Sequence, residues 1–267
     1  MYIDPQWRIL TIGDGDLSFS ASLLKHHKPL QLTATIYDDL AELSQKYGDE
    51  HYQELLHDCS VLTGFDVTQT DSWDGLAKNS FDLVIFQFPL LPGFNSREEF
   101  EQKCGGFGLN TLNRALLRTF LLNSVEHFLD PNGAGLCYIT SKDVKPYREW
   151  SIETSLIQDT ELHYHGSMPF DLERFPGYRI RNVDRDKHVK DTRGITYVWS
   201  PKAENLLGDR LSKAKYLNEG YCALCRTGPF ASDRDKQEHE QARKHQQMLD
   251  YEQQWQDYLY VACSISA

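Results

Sequence analysis

Ile9-Leu10-Thr11-Ile12-Gly13-Asp14-Gly15-Asp16-Leu17-Ser18-Phe19-Ser20 takes an apolar, partly β-branched run into two glycines one residue apart, then into a segment able to form a helix. Glycine tolerates positive φ and lets a ligand lie directly against the backbone. A strand ending in such a turn is the nucleotide-binding corner of an open α/β sheet; a plain tight turn is the alternative. The third glycine of the dinucleotide fingerprint is missing, because Ser18 or Phe19 stands where it would fall. Asp14 and Asp16 flank the second glycine. A carboxylate there repels a pyrophosphate and suits an ammonium or ribose hydroxyls. S-adenosylmethionine carries both of these and no phosphate. The turn therefore nominates Gly13, Asp14, Gly15, Asp16, Ser18, Phe19 and Ser20 as cofactor-binding residues.

The following segments repeat the pattern of an apolar run ending in a polar residue. Thr33-Ala34-Thr35-Ile36-Tyr37 reads as a strand ending in Asp38-Asp39. An acid about 20 residues past the glycines is where ribose hydroxyls are held. Asp39 suits the N-cap of a helix over residues 40–47 and Asp38 suits the ribose. A third strand over 60–65 ends in Asp66-Val67, where an acid can accept a hydrogen bond from an adenine amino group. A fourth, over 81–87, runs into Gln87-Phe88-Pro89. Asp38, Asp66, Val67 and Gln87 join the cofactor set. Phe88, Pro89, Arg179 and Arg181 are candidates for holding an acceptor base or its phosphates.

Four elements occur in order: Gly-Asp-Gly-Asp-Leu-Ser-Phe-Ser at 13–20, Phe81 to Pro89, Lys145-Pro146-Tyr147 with Trp150, and Phe175-Pro176-Gly177-Tyr178. Together they resemble the Rossmann-like uridine-N3 ribosomal-RNA methyltransferases over roughly residues 7–199. The resemblance implies a class I methyltransferase fold, S-adenosylmethionine as methyl donor and an RNA base, ribosomal uridine N3, as acceptor. The chain departs from the family pattern twice. Asp14 stands where the family usually has Glu, and Gln87-Phe88-Pro89-Leu90 stands where it usually has Asn-Phe-Pro-His.

The chain has 267 residues, 40% of them hydrophobic and 25% charged, which suits one α/β domain and a small addition. No apolar run approaches the roughly 20 residues of a membrane span, and residues 1–8 lack the pattern of a signal peptide. A cytoplasmic chain with reduced cysteines and no membrane partner is expected. The net charge of −11 argues against nucleic acid. Residues 174–193 nevertheless hold seven basic residues against three acidic ones. Such a segment can contact phosphates or form a self-paired hairpin.

The alternation predicts an α/β fold: a mostly parallel sheet, helices on both faces, and an antiparallel hairpin at the edge. Residues 92–109 read as a long loop, with Cys104-Gly105-Gly106-Phe107-Gly108 a candidate lid. A helix with Leu112, Leu116, Phe120 and Phe128 in its core follows, then a strand over 134–140. A helix from about Trp150 and strands over 160–165 and 194–199 complete the sheet. Domain limits fall at 1–200, a linker at 201–218, and a tail at 219–267.

The tail carries Cys222-x2-Cys225-x13-His239-x5-His245. Two thiolates on a knuckle and two imidazoles on a helix supply four ligands for a structural zinc, with no open position for catalysis. The pattern resembles the U1/matrin type of finger. Its core would rest on Tyr221, Phe230, Ala231 and Ala242, because Lys236 replaces the apolar residue expected before the first histidine. Five basic residues face six acidic ones between Glu219 and Asp250, so RNA contact would depend on Arg243 and Lys244. Met248, Tyr251, Trp255, Tyr258 and Leu259 form a stripe at helical spacing. It packs on its own domain or on a protein partner or second copy.

Methyl transfer to a uridine N3 requires that the imide lose its proton. Asp143 and Asp171 are candidate bases, and Tyr147 or Lys142 candidates to steady the oxygen charge. The target base must be unpaired or flipped. A non-catalytic zinc-finger adaptor and a methyltransferase for a non-RNA acceptor are the competing readings.

Overall fold

The computed structural model describes residues 1–91, 93–94, 96–181 and 194–265, without the side chains of residues 103 and 263–265. Of the basic segment 174–193, residues 182–193 lie outside the described residues, Arg185, Lys187, Lys190 and Arg193 among them.

Among the described residues, seven strands form one sheet in the order β3-β2-β1-β4-β5-β7-β6. They are β1 Arg8–Ile12, β2 Gln31–Thr35, β3 Ser60–Leu62, β4 Leu83–Gln87, β5 Leu136–Lys142, β6 His163–Phe170 and β7 Gly194–Ser200. β1 to β5 are parallel. β7 is antiparallel to both β5 and β6, the expected edge hairpin. Strand order reverses between β1 and β4, so their carboxyl ends flank the crevice where ligands bind in open α/β sheets. The centre reads as continuous apolar runs because both faces are covered. Ile9, Leu83, Ile85 and Tyr138 point to one face, and Leu10, Val84, Phe86 and Ile139 to the other.

The first face packs against α1 (Ser18–His27) and against residues of the segment before β1, with Met1, Ile3 and Trp7 buried in the same cluster. The second packs against α5 (Leu109–Asn123) and the π-helical turn Ser124–Phe128 that ends it. α2 (Leu40–Tyr47) and α3 (Glu50–Leu55) connect β2 to β3. Asp39 caps α2 as expected, in a capping box with Glu42: its carboxylate accepts the Glu42 N–H at 2.8 Å.

Three expectations change. The stretch 92–109 contains a helix, α4 (Arg97–Lys103), started by Ser96, whose hydroxyl accepts the Glu99 N–H at 3.1 Å. The helix expected from Trp150 is absent. Two 3-10 turns stand there, Tyr147–Trp150 and Ser155–Ile157, joined through Ser151 at φ 46°. Ser151 accepts backbone N–H bonds from Thr154 and Ser155 through its carbonyl, and the Ser155 carbonyl accepts Trp255 Nε1. This stretch is shaped as a socket for the C-terminal helix. The strand expected at 160–165 lies further along, at His163–Phe170.

The tail consists of a knuckle at Cys222–Cys225, then α6 (Asp233–Gln241) and α7 (Arg243–Ile265). Met248, Trp255 and Leu259 of the apolar stripe are buried, and Trp255 and Leu259 pack with Ala115 of α5. Glu252 accepts from the fully buried Arg114 of α5 at 2.5 Å. The segment 201–218 also packs onto the sheet: Leu207 is buried with the first face, and Ser212 bridges to Ser167 of β6.

Candidate functional site

β1 ends beneath its turn because Gly13 sits at φ 60°, where a Cβ would come within 3.1 Å of Phe86. Leu17, fully buried, is held at φ 63°, a conformation that costs an L-residue about 1 kcal/mol or more. The two aspartates of the turn cap α1. Asp14 Oδ2 accepts the Ser20 N–H at 2.6 Å, and Asp16 Oδ1 accepts the Ser18 N–H at 3.1 Å and its hydroxyl at 2.6 Å. The helix N-terminus that would hold a phosphate is therefore already filled by carboxylates. Ser18, Phe19 and Ser20 face inward: the Ser20 hydroxyl bonds Thr11 at 2.7 Å, and Phe19 packs on Phe175 and Tyr178 at 5.1 and 5.2 Å.

These contacts explain why the glycine turn and Phe175-Pro176-Gly177-Tyr178 occur together. The later segment is laid over the turn. The Arg179 N–H donates to Ser18 Oγ at 3.0 Å, and Arg181 pairs with Asp16 at 2.7 Å and stacks over Tyr47 at 4.9 Å. Arg181 thus neutralises an acid of the turn, whereas a phosphate contact was expected of it. Arg179 is exposed. Burial pushes the Asp14 carboxyl up to about 6, against the opposing effect of its hydrogen bonds to Ser20. A folded pKa above the unfolded one means that the folded chain takes up the proton first. Stability from this group is full below about pH 4 and is lost as pH rises through about 6, by about 3 kcal/mol in all. The Asp14→Asn variant is expected to lack that decline when urea unfolding is measured at about pH 4.5 and pH 8.

The other strand ends converge on the same edge. Asp38 follows β2 and pairs with Lys46 of α2 at 2.8 Å. Asp66 closes an Asx turn: its Oδ1 accepts the Thr68 N–H and hydroxyl at 2.8 and 2.7 Å. Val67 is buried, and its carbonyl accepts Asn123 Nδ2 at 2.8 Å. Gln87 ends β4 at 9% exposure, and its Oε1 has no hydrogen-bond partner. An unmet buried acceptor costs about 1–3 kcal/mol. Phe88, at φ 47°, turns the chain sharply after Gln87 and meets Phe170 edge-on at 5.6 Å, while Pro89 is buried.

A family model described as BMT5-like, rRNA (uridine-N3-)-methyltransferase BTM5-like, matches residues 10–182. The chain belongs to this family. Among curated proteins it is similar to the ferredoxin-fold anticodon-binding domain-containing protein 1 homolog of Mus musculus. That match is 27% identical over 212 residues and covers 72% of this chain and 31% of that protein. It is also similar to heavy metal-associated isoprenylated plant protein 41 of Arabidopsis thaliana, 28% identical over 181 residues, covering 66% and 33%. The chain thus spans about a third of the length of these curated relatives. Among solved structures it is similar to the M1A22 tRNA methyltransferase TrmK of B. subtilis. The TM-score there is 0.43 at 14% identity, over 96% of this chain and 93% of that one. A putative RNA methyltransferase from Pyrococcus horikoshii gives 0.40 at 16% identity, over 74% and 76%.

Beyond the residues that this methyltransferase family model matches, Cys222, Cys225, His239 and His245 bring their ligand atoms within 4.8 Å of one another. His245 Nδ1 lies 3.5 and 3.6 Å from the two sulfurs and 3.2 Å from His239 Nε2. Tetrahedral ligands of one zinc, with bonds of about 2.3 Å to sulfur and 2.0 Å to nitrogen, stand about 3.2–3.8 Å apart; the three distances from His245 fall in that range, and the donor types are those of a structural zinc site. The histidines are not on one helix. Six positions of a continuous helix turn through about 600°, which would put them on different sides. The chain breaks between α6 and α7 at Ala242, ψ 141°, and the rings converge. Ala231 and Ala242 are exposed and build no finger core; Phe230 packs on the His239 ring at 5.1 Å.

Of the residues nominated for proton transfer, Asp143 is held by both Arg148 nitrogens at 2.7 and 2.9 Å, and Asp171 caps a 3-10 turn by accepting the Glu173 N–H at 3.0 Å. Lys142 lies over the Tyr147 ring at 5.7 Å, and burial pushes both the Lys142 ammonium down and the Tyr147 hydroxyl up. Two residues escaped sequence reasoning. Glu153, 4% exposed, takes Arg226 of the knuckle at 3.1 Å on both oxygens and accepts the Tyr216 hydroxyl. Neither residue stands in a motif; Arg226 is marked only by its place beside Cys225. Among the described residues no helix is long and apolar enough to cross a membrane.

Proposed function

We propose that this chain is an S-adenosylmethionine-dependent RNA methyltransferase that methylates N3 of an unpaired uridine in ribosomal RNA. The family match over residues 10–182 is the observation that carries the reading. The strand edge suits the cofactor on chemical grounds. Asp14 and Asp16 fill the helix N-terminus against a pyrophosphate, and Asp38 after β2 offers a carboxylate to ribose hydroxyls. The bound cofactor supplies a sulfonium methyl already activated for transfer.

The chain's own work is to hold the base, steady its charge and exclude water. Gln87 is suited to the base: its Nε2, which lies 3.9 Å from Met1 Sδ, can donate to a uracil carbonyl and leave N3 free to react. The Phe88 ring offers a face for stacking. Lys142 ends β5 and Tyr147 follows it, where a developing oxygen charge can be met. Asp143, whose two oxygens are held by Arg148, and Asp171 are the carboxylates proposed to take the N3 proton. Cys222, Cys225, His239 and His245 hold a structural zinc with all four positions filled, outside the chemistry. Arg243 and Lys244 are exposed beside it and free to approach phosphates.

The Asp38→Ala variant tests the cofactor edge. Hydrogen bonds to a charged group contribute about 1.5–3 kcal/mol each, so S-adenosylmethionine affinity is expected to fall roughly 10- to 100-fold by calorimetry. Unchanged affinity removes Asp38 from the site. Labelled methyl appearing in protein or a small molecule, resistant to ribonuclease, would replace RNA as the acceptor.

A further inference from the structure

We infer that the C-terminal helix α7 completes the cofactor site, with Tyr258 walling the compartment that receives the adenine ring. The inference rests on the cofactor reading above. A cavity of about 380 Å³ opens on the strand edge. Its walls include Tyr37 beyond β2, Thr68 beyond β3, Leu91 beyond β4, Ala115 and Leu116 of α5, and Tyr258 of α7. Tyr37 immediately precedes Asp38, and Thr68 is bonded to Asp66 through both its N–H and its hydroxyl. The cavity therefore lies next to the two acids that mark the ribose and base ends of the site. Its size falls within the range of small-ligand pockets.

Leu91, Leu112, Ala115, Leu116 and the two tyrosine rings give the cavity apolar walls that suit a flat purine, with Thr68, Thr119 and Glu99 as its polar members. Tyr258 is also held for such a role. Its ring lies parallel to Trp255, 5.4 Å away at 8°, and meets Phe107 edge-on at 5.4 Å. Trp255 is fully buried and fixed through Nε1 to the Ser155 carbonyl at 3.0 Å. Phe107 belongs to the glycine-rich stretch that the sequence nominates as a lid. One tyrosine thus joins the helix that carries His245 to both the lid and the cofactor compartment. Tyr258 lies outside residues 10–182, so the family match does not assign it.

The test is calorimetric titration of the zinc-loaded full chain with S-adenosylhomocysteine. The Tyr258→Ala, Tyr258→Phe and Gln253→Ala variants are compared, with zinc content and thermal midpoint measured alongside. Tyr258→Ala is expected to weaken binding tenfold or more. Tyr258→Phe, which keeps the ring, and Gln253→Ala, on the exposed side of α7, are expected to stay within twofold. In the unmodified chain the ligand is expected to slow amide exchange across residues 250–262. If the unmodified chain binds the ligand while Tyr258→Ala stays within twofold and α7 gains no protection, the inference is wrong and the cofactor reading stands. If the unmodified chain does not bind the ligand, both fall together.

Discussion

Stripping the metal with a chelator is expected to unfold the tail around Cys222 and His245, with one equivalent of zinc released per chain. α6 has little else to hold it. α6 has no buried residue, and Ala231 and Ala242 are exposed. Structural zinc sites of this ligand type contribute roughly 10 kcal/mol or more of apparent binding free energy, and in a tail built on one that energy would be folding energy. Cys222→Ser or Cys225→Ser should act like the chelator. Circular dichroism and protease sensitivity of residues 219–245 read the loss, and metal analysis gives the stoichiometry. A tail equally protected and equally helical without metal would refute the zinc assignment. The sheet domain, with its own two-sided core, is expected to keep its cooperative transition.

Arg226→Ala has the second-largest expected effect. The Arg226 side chain is 10% exposed and that of Glu153 3%, so removing the cation strands a buried carboxylate. Breaking a buried pair from one side costs about 3–5 kcal/mol. Arg226→Lys should recover only part of this, because a single ammonium cannot reproduce a guanidinium shared among the Glu153 carboxylate, Asp143 and the Tyr216 ring. Arg148→Ala is the internal control. Its partner Asp143 is 28% exposed and Arg148 itself 50%, so the loss should stay within about 1 kcal/mol. Urea unfolding of the three variants gives the ranking. Equal losses at Arg226 and Arg148 would show that the knuckle is not anchored through Glu153.

What the sequence disclosed, and what it hid, follows from the range of the interactions. The glycine turn, the acids after the first three strands and the Cys/His spacing are local patterns. Local chemistry dictates them: a turn needs glycine at φ 60°, a helix needs its Asp39 cap, a zinc needs four soft ligands. The mostly parallel sheet and its antiparallel edge hairpin followed from the alternation of such units. The misses are long-range. Trp150 to Ile157 look helical until Trp255 and Glu252 claim Ser155 from about a hundred positions away. Arg181 pairs with Asp16, 165 positions earlier, a contact that no local pattern announces. Glu153 is an ordinary surface acid by sequence, and only the docked knuckle makes it a buried partner. The helix break at Ala242 was hidden because nothing in Gln241-Ala242-Arg243 forbids a helix; convergence of the two rings imposes it.

Methyl transfer to uridine is read directly from labelled ribosomal RNA. Purified chain, loaded with zinc, is given S-adenosylmethionine labelled in the methyl group and ribosomal RNA from cells lacking this gene. The RNA is then digested to nucleosides and separated. Label is expected in 3-methyluridine and is expected to be lost when Asp38 is replaced by alanine. Label in a different nucleoside would contradict the uridine-N3 assignment. Cofactor bound with no label in any RNA would contradict RNA as the acceptor, and would point to the Gln87-Phe88-Pro89-Leu90 turn as the place where the chain departs from its family.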